Sequence, residues 1–165
     1  MPAFATTFEA APLDRAARIT TRTMWLAAAA SFVAGAAVAA IGSGWSGLLL
    51  VVLGLFLIAL LVWTRRIEPL SYDVGDGVLQ VRRRSASPSS FSGTIAHVRR
   101  GRVGLRVAGD GGAYGYLGRF RAEGRTVRTF VTDRQNVVLL EVGSASLALS
   151  PREPERFVAE VGRGE

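Results

Sequence analysis

The sequence predicts an α+β membrane protein, in which a hairpin of two transmembrane helices precedes an antiparallel β-barrel or sandwich closed by a C-terminal capping helix. Three observations point there. Thr23 to Thr64 contains no Asp, Glu, Lys, Arg or His. From Leu70 onward the apolar pattern shortens to alternating runs separated by glycine turns, the mark of an antiparallel β domain. Ser150-Pro151-Arg152-Glu153 then carries a helix start ahead of an apolar stripe at Phe157, Val158 and Val161.

The uncharged stretch divides into two runs, Trp25–Ile41 and Leu48–Trp63, around the turn-forming cluster Gly42-Ser43-Gly44-Trp45-Ser46-Gly47. At about 1.5 Å per residue each run covers roughly 24–27 Å, close to the hydrocarbon thickness of a bilayer. Spans are placed at about 24–42 and 46–64. The second run is Leu-, Val- and Ile-rich, so each residue favours the bilayer centre. The first is mostly Ala and inserts as the partner of the second. Ser31, Gly35 and Ala39, each four residues from the next, offer small surfaces for close helix packing in lipid. Trp25, Trp45 and Trp63 all fall at run ends, where an interfacial aromatic belt forms. A soluble buried hairpin fits poorly, because neither run has a polar face. A cleaved signal peptide also fits poorly, since a long tail with Glu9 and Asp14 precedes the runs.

Arginine sets the orientation. Arg15, Arg18 and Arg22 precede the hairpin, Arg65 and Arg66 follow it, and the connecting loop is uncharged. The positive-inside rule puts both flanks, and so both termini, in the cytoplasm. The expected organisation is therefore a tail over 1–22, the hairpin over 23–66 and a single soluble domain over 67–165.

The net charge is +7, all 20 cationic Lys/Arg positions are Arg, and there is no Cys. Disulfides, thiolate metal sites and thiol nucleophiles are thereby excluded. Met1 to Thr21 is expected to be mostly disordered before Leu13, with a short interfacial helix over Ala10–Ile19.

In the domain, Leu70–Val74 and Val78–Arg83 read as strands about the turn Gly75-Asp76-Gly77. Phe91–Ile95 reads as a short strand, and Val98–Val107 as another, bulged at Gly101 or Gly104. After the glycine-rich turn region Gly109–Gly115 come two hairpins. One joins Tyr116–Ala122 to Thr126–Thr132, and the other joins Asn136–Val142 to Ser146–Leu149 about Gly143-Ser144. Ser150 is the expected N-cap of the closing helix, Pro151 its N1 and Glu153 its N3.

Tyr114-Gly-Tyr-Leu-Gly-Arg-Phe120, Val127-Arg-Thr-Phe-Val-Thr-Asp133, Asn136-Val-Val-Leu-Leu140 and Leu149-Ser-Pro-Arg-Glu-Pro-Glu-Arg-Phe157 resemble the bacterial pleckstrin-homology-like (PH-like) domain family. The resemblance covers roughly Leu70 to Val161. It implies a bent antiparallel barrel with a C-terminal helix, often following transmembrane segments, and no enzymatic activity. Phosphoinositide-binding members of the wider pleckstrin group carry basic residues around the first hairpin turn; here Asp73 and Asp76 stand there instead.

Arg82-Arg83-Arg84 is the densest charge run and, with Arg65 and Arg66, the candidate contact for anionic lipid. Trp25, Trp45, Trp63 and Arg22 are the candidate membrane-interface anchors. Arg99, Arg100, Arg102 and Arg106 form a second basic strip, and Arg119, Arg121, Arg125 and Arg128 the exposed face of a hairpin. His97, the single histidine, reads as structural, and Gly109–Gly118 lacks the context of a phosphate-binding loop. No catalytic, cofactor or metal site is expected. The expected function is a membrane-anchored PH-like interaction or scaffolding module, non-enzymatic, on the cytoplasmic face of a bacterial inner membrane. Its partners are the bilayer and either another protein or a second copy, with no nucleic acid. The alternative is an accessory subunit of a transport or envelope-biogenesis assembly that works through its hairpin.

Overall fold

A computed structural model describes residues 4–42, 44–75 and 77–162. Two long helices come first, α1 (Arg15–Ala40) and α2 (Gly44–Ile67). They are antiparallel neighbours, and both are long and apolar enough to cross a membrane. Asp14 caps α1, its Oδ1 accepting from the Ala17 amide at 2.7 Å. The expected short helix over Ala10–Ile19 is instead the first turns of this continuous helix.

The two helices meet along small residues. Gly35 and Gly47 pack backbone to backbone: a Cβ on Gly35 would lie 2.9 Å from the Gly47 carbonyl oxygen. Buried positions along α1 include Thr21, Ala28 and Gly35, and along α2 Gly47, Gly54 and Leu61. Within each set the step is seven residues, the spacing of a left-handed helix pair. Gly35 thus has its expected role, while Ser31 bonds back to the Ala27 carbonyl of its own helix at 2.9 Å.

The remaining chain forms two stacked sheets. The first has the order β1 (Phe4–Glu9), β2 (Pro69–Gly75), β3 (Val78–Arg83), β4 (Ser89–Ser92). β1 corrects the expectation of disorder before Leu13. It pairs with β2 and sets Phe8 edge-on against Phe157, ring centroids 4.7 Å apart. Thr-rich and short, it draws its stability from a partner strand far along the chain. The first-hairpin turn residue Asp76 lies outside the described residues.

The second sheet holds β5 (Ile95–Arg100), β6 (Arg106–Gly111), β7 (Tyr116–Ala122), β8 (Arg125–Val131), β9 (Val138–Val142) and β10 (Ala145–Leu149), in the order β5-β9-β10-β8-β7-β6. Its pairings are antiparallel except β8 with β10, which run parallel and join the two predicted hairpins. Two strand expectations are corrected. Phe91–Ile95 is split at Gly93 (φ 140°), where the chain passes from the first sheet to the second. The single bulged strand Val98–Val107 is also two strands. After Arg100 the chain crosses the outer face of the sheet and returns as the opposite edge, β6, with Val103 buried beneath it.

The inner faces of the sheets enclose one core, with Tyr72, Leu79 and Val81 from the first and Leu117, Phe130, Leu140, Leu147 and Leu149 from the second. The closing helix α3 (Pro154–Val161) plugs its end with Phe157 and Val161. α3 starts later than expected: Glu153 is its N-cap and Pro154 opens it. Ser150 is buried in the core, where its hydroxyl accepts from the Thr132 amide at 2.7 Å. A second cluster, on the outer face of the six-stranded sheet, includes Tyr116, Phe120, Val131 and Val137 and takes in Ala17 from the start of α1.

Candidate membrane-proximal site

The β domain is bonded to the base of the hairpin. Asp14, besides capping α1, accepts from the Tyr116 hydroxyl and the Arg134 amide, each at 3.3 Å. The Thr21 hydroxyl accepts from the Tyr114 amide at 3.1 Å, and Trp25 Nε1 donates to the Tyr114 hydroxyl at 3.0 Å. On the other side α2 runs into β2 through Ile67 and Glu68, and the Arg84 and Ser85 amides bond back to the carbonyls of Glu68 and Arg66 at 3.0 Å. The domain is therefore hydrogen-bonded to both helices.

Between this joint and the sheet lies a cavity of about 540 Å³. Met24, Leu60, Trp63, Thr64 and Ile67 of the helices form one wall. Leu117, Phe130 and the backbone at Gly109 and Gly118 form the floor, and Arg83, Arg106, Arg128 and Asp110 surround it. Gly109 and Gly118 face each other across β6 and β7; a Cβ on Gly118 would come within 2.3 Å of the Ala108 carbonyl oxygen.

The electrostatics of this cavity are unbalanced. The guanidinium carbons of Arg83 and Arg128 lie 5.4 and 5.5 Å from the centroid of the Phe130 ring. Burial, reinforced by the charge of Arg128, pushes Arg83 below the ordinary arginine range. Its side chain donates to the Ser89 hydroxyl, but the buried Nε has no partner. Burial also lifts the Asp110 carboxyl above its usual range, against the opposing pull of the Ala113 and Gly111 amides and of Arg106. Its Oδ2 is buried without a partner. Among the described residues, Arg83, Arg106 and Arg128 form no ion pair.

The sequence-nominated residues separate accordingly. Arg82 is paired with the fully buried carboxylate of Asp73, and Arg84 with Glu68 at 2.9 Å. Arg83, between them, points to the opposite side of β3 and into the cavity. Arg22, Arg65 and Arg66 are exposed at the base of the hairpin. Trp25 is bonded to Tyr114, Trp63 lines the cavity, and Trp45 is exposed on the first turn of α2 at the far end. Arg99 and Arg100 of the second strip are paired with Glu123 and Glu155. His97 is exposed, in the left-handed region (φ 55°), at the irregularity where β5 shifts register against β9.

Arg106, Arg128 and Asp110 were not grouped by sequence reasoning, because they come from strands brought side by side by the sheet. A faint signal existed in Arg128-Thr129-Phe130: alternation puts Arg128 and Phe130 on the same face.

A sandwich of two bent sheets closed by a C-terminal helix is the architecture of a PH-like domain. Residues 93–164 match the family model for the bacterial PH domain. The match takes in the six-stranded sheet and α3, and leaves β1–β4 and both long helices outside it. No curated protein and no solved structure matches the chain significantly.

Proposed function

We propose that the chain is a membrane-anchored PH-like interaction module, non-enzymatic, held on the cytoplasmic face of a bacterial inner membrane by its helical hairpin. The observation that carries this reading is the bonded joint. Asp14, Thr21 and Trp25 of the first helix engage Tyr114 and Tyr116 of the PH domain at the hairpin end flanked by Arg22, Arg65 and Arg66. A lipid-embedded hairpin would thus present the domain at the membrane surface in one orientation. Supporting insertion, Leu26, Val33, Leu49, Phe56 and other large apolar side chains of both helices are exposed outward. A PH domain is generally a non-catalytic interaction module, which supports the rest.

The surface best suited to a partner is β6. It is an edge of the six-stranded sheet, and Leu105 just before it and Val107 within it are 80% and 55% exposed. The opposite edge, β5, contacts α3. An extended segment of another protein, or of a second copy, can add to an open edge through main-chain hydrogen bonds. A photo-crosslinking residue at Leu105, in native membranes, should yield a discrete adduct that Val107→Glu abolishes. Labelling no stronger than from a probe at Ala159 on α3 would remove the edge reading. The alternative, a hairpin that itself works within a transport or envelope-biogenesis assembly, predicts loss of cellular function when an unrelated two-span anchor replaces it. The reading preferred here predicts survival if Leu13–Trp25 and Trp63–Ile67 are kept.

A further inference from the structure

We propose that the cavity between the PH domain and the base of the hairpin holds the phosphate headgroup of an anionic phospholipid from the surrounding bilayer. The inference rests on the membrane-anchored reading and deepens it by naming a ligand class and a site.

Charge comes first. Three guanidiniums from three strands, Arg83 of β3, Arg106 of β6 and Arg128 of β8, line one cavity against a single carboxylate, Asp110, and none of the three forms an ion pair among the described residues. An excess of like charge beside a partly buried guanidinium, Arg83, calls for an anion. Arginine forks suit phosphate oxygens in particular. Neighbouring Arg82 and Arg84 are already neutralised by Asp73 and Glu68, so the imbalance belongs to the cavity and not to the charge run as a whole.

Unmet hydrogen bonds come second. Arg83 Nε, a donor, and Asp110 Oδ2 are both buried without partners, and both residues line this cavity. A phosphate oxygen would accept from Arg83. Asp110 Oδ2 is an acceptor, suited to a hydroxyl of the headgroup and not to its phosphate oxygens.

Room and position complete the case. Gly109 and Gly118, paired across β6 and β7, both line the cavity and place no side chain on its floor. The helix wall, Met24, Leu60, Trp63 and Thr64, stands just inside Arg22, Arg65 and Arg66, at the level where headgroups lie. Leu60 and Trp63 are part-exposed on the outer side, giving an acyl chain an apolar path back to the bilayer. A soluble anion would make no use of that apolar half, which is why a lipid is the better occupant.

The test uses the full chain in nanodiscs of phosphatidylglycerol or of phosphatidylcholine, followed by detergent delipidation and native mass spectrometry. The expected result is one phosphatidylglycerol retained per chain and no retained phosphatidylcholine. Arg83→Gln should weaken retention by about tenfold or more, the scale of losing a hydrogen bond between charged groups. Arg106→Gln/Arg128→Gln, at two exposed positions, should have the same effect. Arg152→Gln, on a surface pair with Glu9, should have none. Equal retention of the two lipids, or undiminished retention in the double variant, overturns the proposal. So does displacement of the lipid by millimolar inorganic phosphate, which would mark a soluble-anion site. Alkaline carbonate extraction separates the two levels. Release of the chain from membranes would defeat the anchored reading itself. A chain that stays in the membrane but retains no phosphatidylglycerol defeats the lipid site alone.

Discussion

The hydroxyl of Tyr72 donates to the carbonyl oxygen of Phe130 across 2.7 Å, tying the four-stranded sheet to the six-stranded sheet inside the core. The Tyr72 hydroxyl oxygen in turn accepts from the Ser150 amide at 3.2 Å. Tyr72→Phe keeps the ring and leaves a buried carbonyl and a buried amide without this partner. It should cost about 1–3 kcal/mol, read as a lowered denaturant midpoint with an unchanged slope.

Burial pushes the Tyr72 phenol from 10.0 up to about 12. The folded chain therefore holds this proton more tightly than the unfolded chain. The resulting stability is complete below pH about 10 and is lost as the pH rises through about 12. Unfolding midpoints measured across that window should fall more steeply in the wild type than in Tyr72→Phe.

Asp14 serves helix and domain together, accepting from Ala17, Tyr116 and Arg134. Asp14→Ala should destabilise the chain by about 1–2 kcal/mol, at the upper end for a lost N-cap. Hydrogen exchange should rise in the first turn of α1 and around Tyr114–Tyr116. Asp14→Asn preserves the capping oxygen and should recover most of the loss.

Gly35→Val tests the helix seam. A Cβ there meets Val51 Cγ2 at 2.8 Å and the Gly47 carbonyl oxygen at 2.9 Å, so the helices must separate. The expected cost is about 1–3 kcal/mol, measured by detergent-driven unfolding in mixed micelles. Phe56→Ala, on the outward face, should change the midpoint little.

The absence of cysteine makes topology directly measurable. With an impermeant maleimide on intact cells, Ser46→Cys at the hairpin tip should label, and Ser144→Cys in the β9–β10 turn should label only after lysis. The reverse pattern would invert the proposed orientation.

The parts of the fold readable from the sequence are those with local causes. Two uncharged runs around a Gly/Ser cluster specify a helical hairpin whatever lies next to them. The β9–β10 turn at Gly143-Ser144 was likewise visible as short-range turn chemistry. Ser150 was misread because Ser-Pro-x-Glu is a genuine local helix start. Its hydroxyl is instead held by Thr132, a partner on the far side of the core that local pattern cannot register.

The candidate site divides in the same way. Arg82-Arg83-Arg84 stood out as a run, yet pleating sends neighbours to opposite faces. Asp73 and Glu68 take Arg82 and Arg84, leaving Arg83 to the cavity. Residues 101–105 were read as strand because nothing local says that the chain must cross the sheet there.

Composition and spacing alone determined that two apolar helices precede a strand-rich domain with a closing helix, since hydropathy and turn preference act over a few residues. Tertiary structure decided that Phe4–Glu9 is a strand, that Asp14 and Trp25 bond the hairpin to the domain, and that Arg83, Arg106, Arg128 and Asp110 share one cavity. Those facts depend on which distant segments pair and pack, and that is settled by burying surface throughout the whole chain at once.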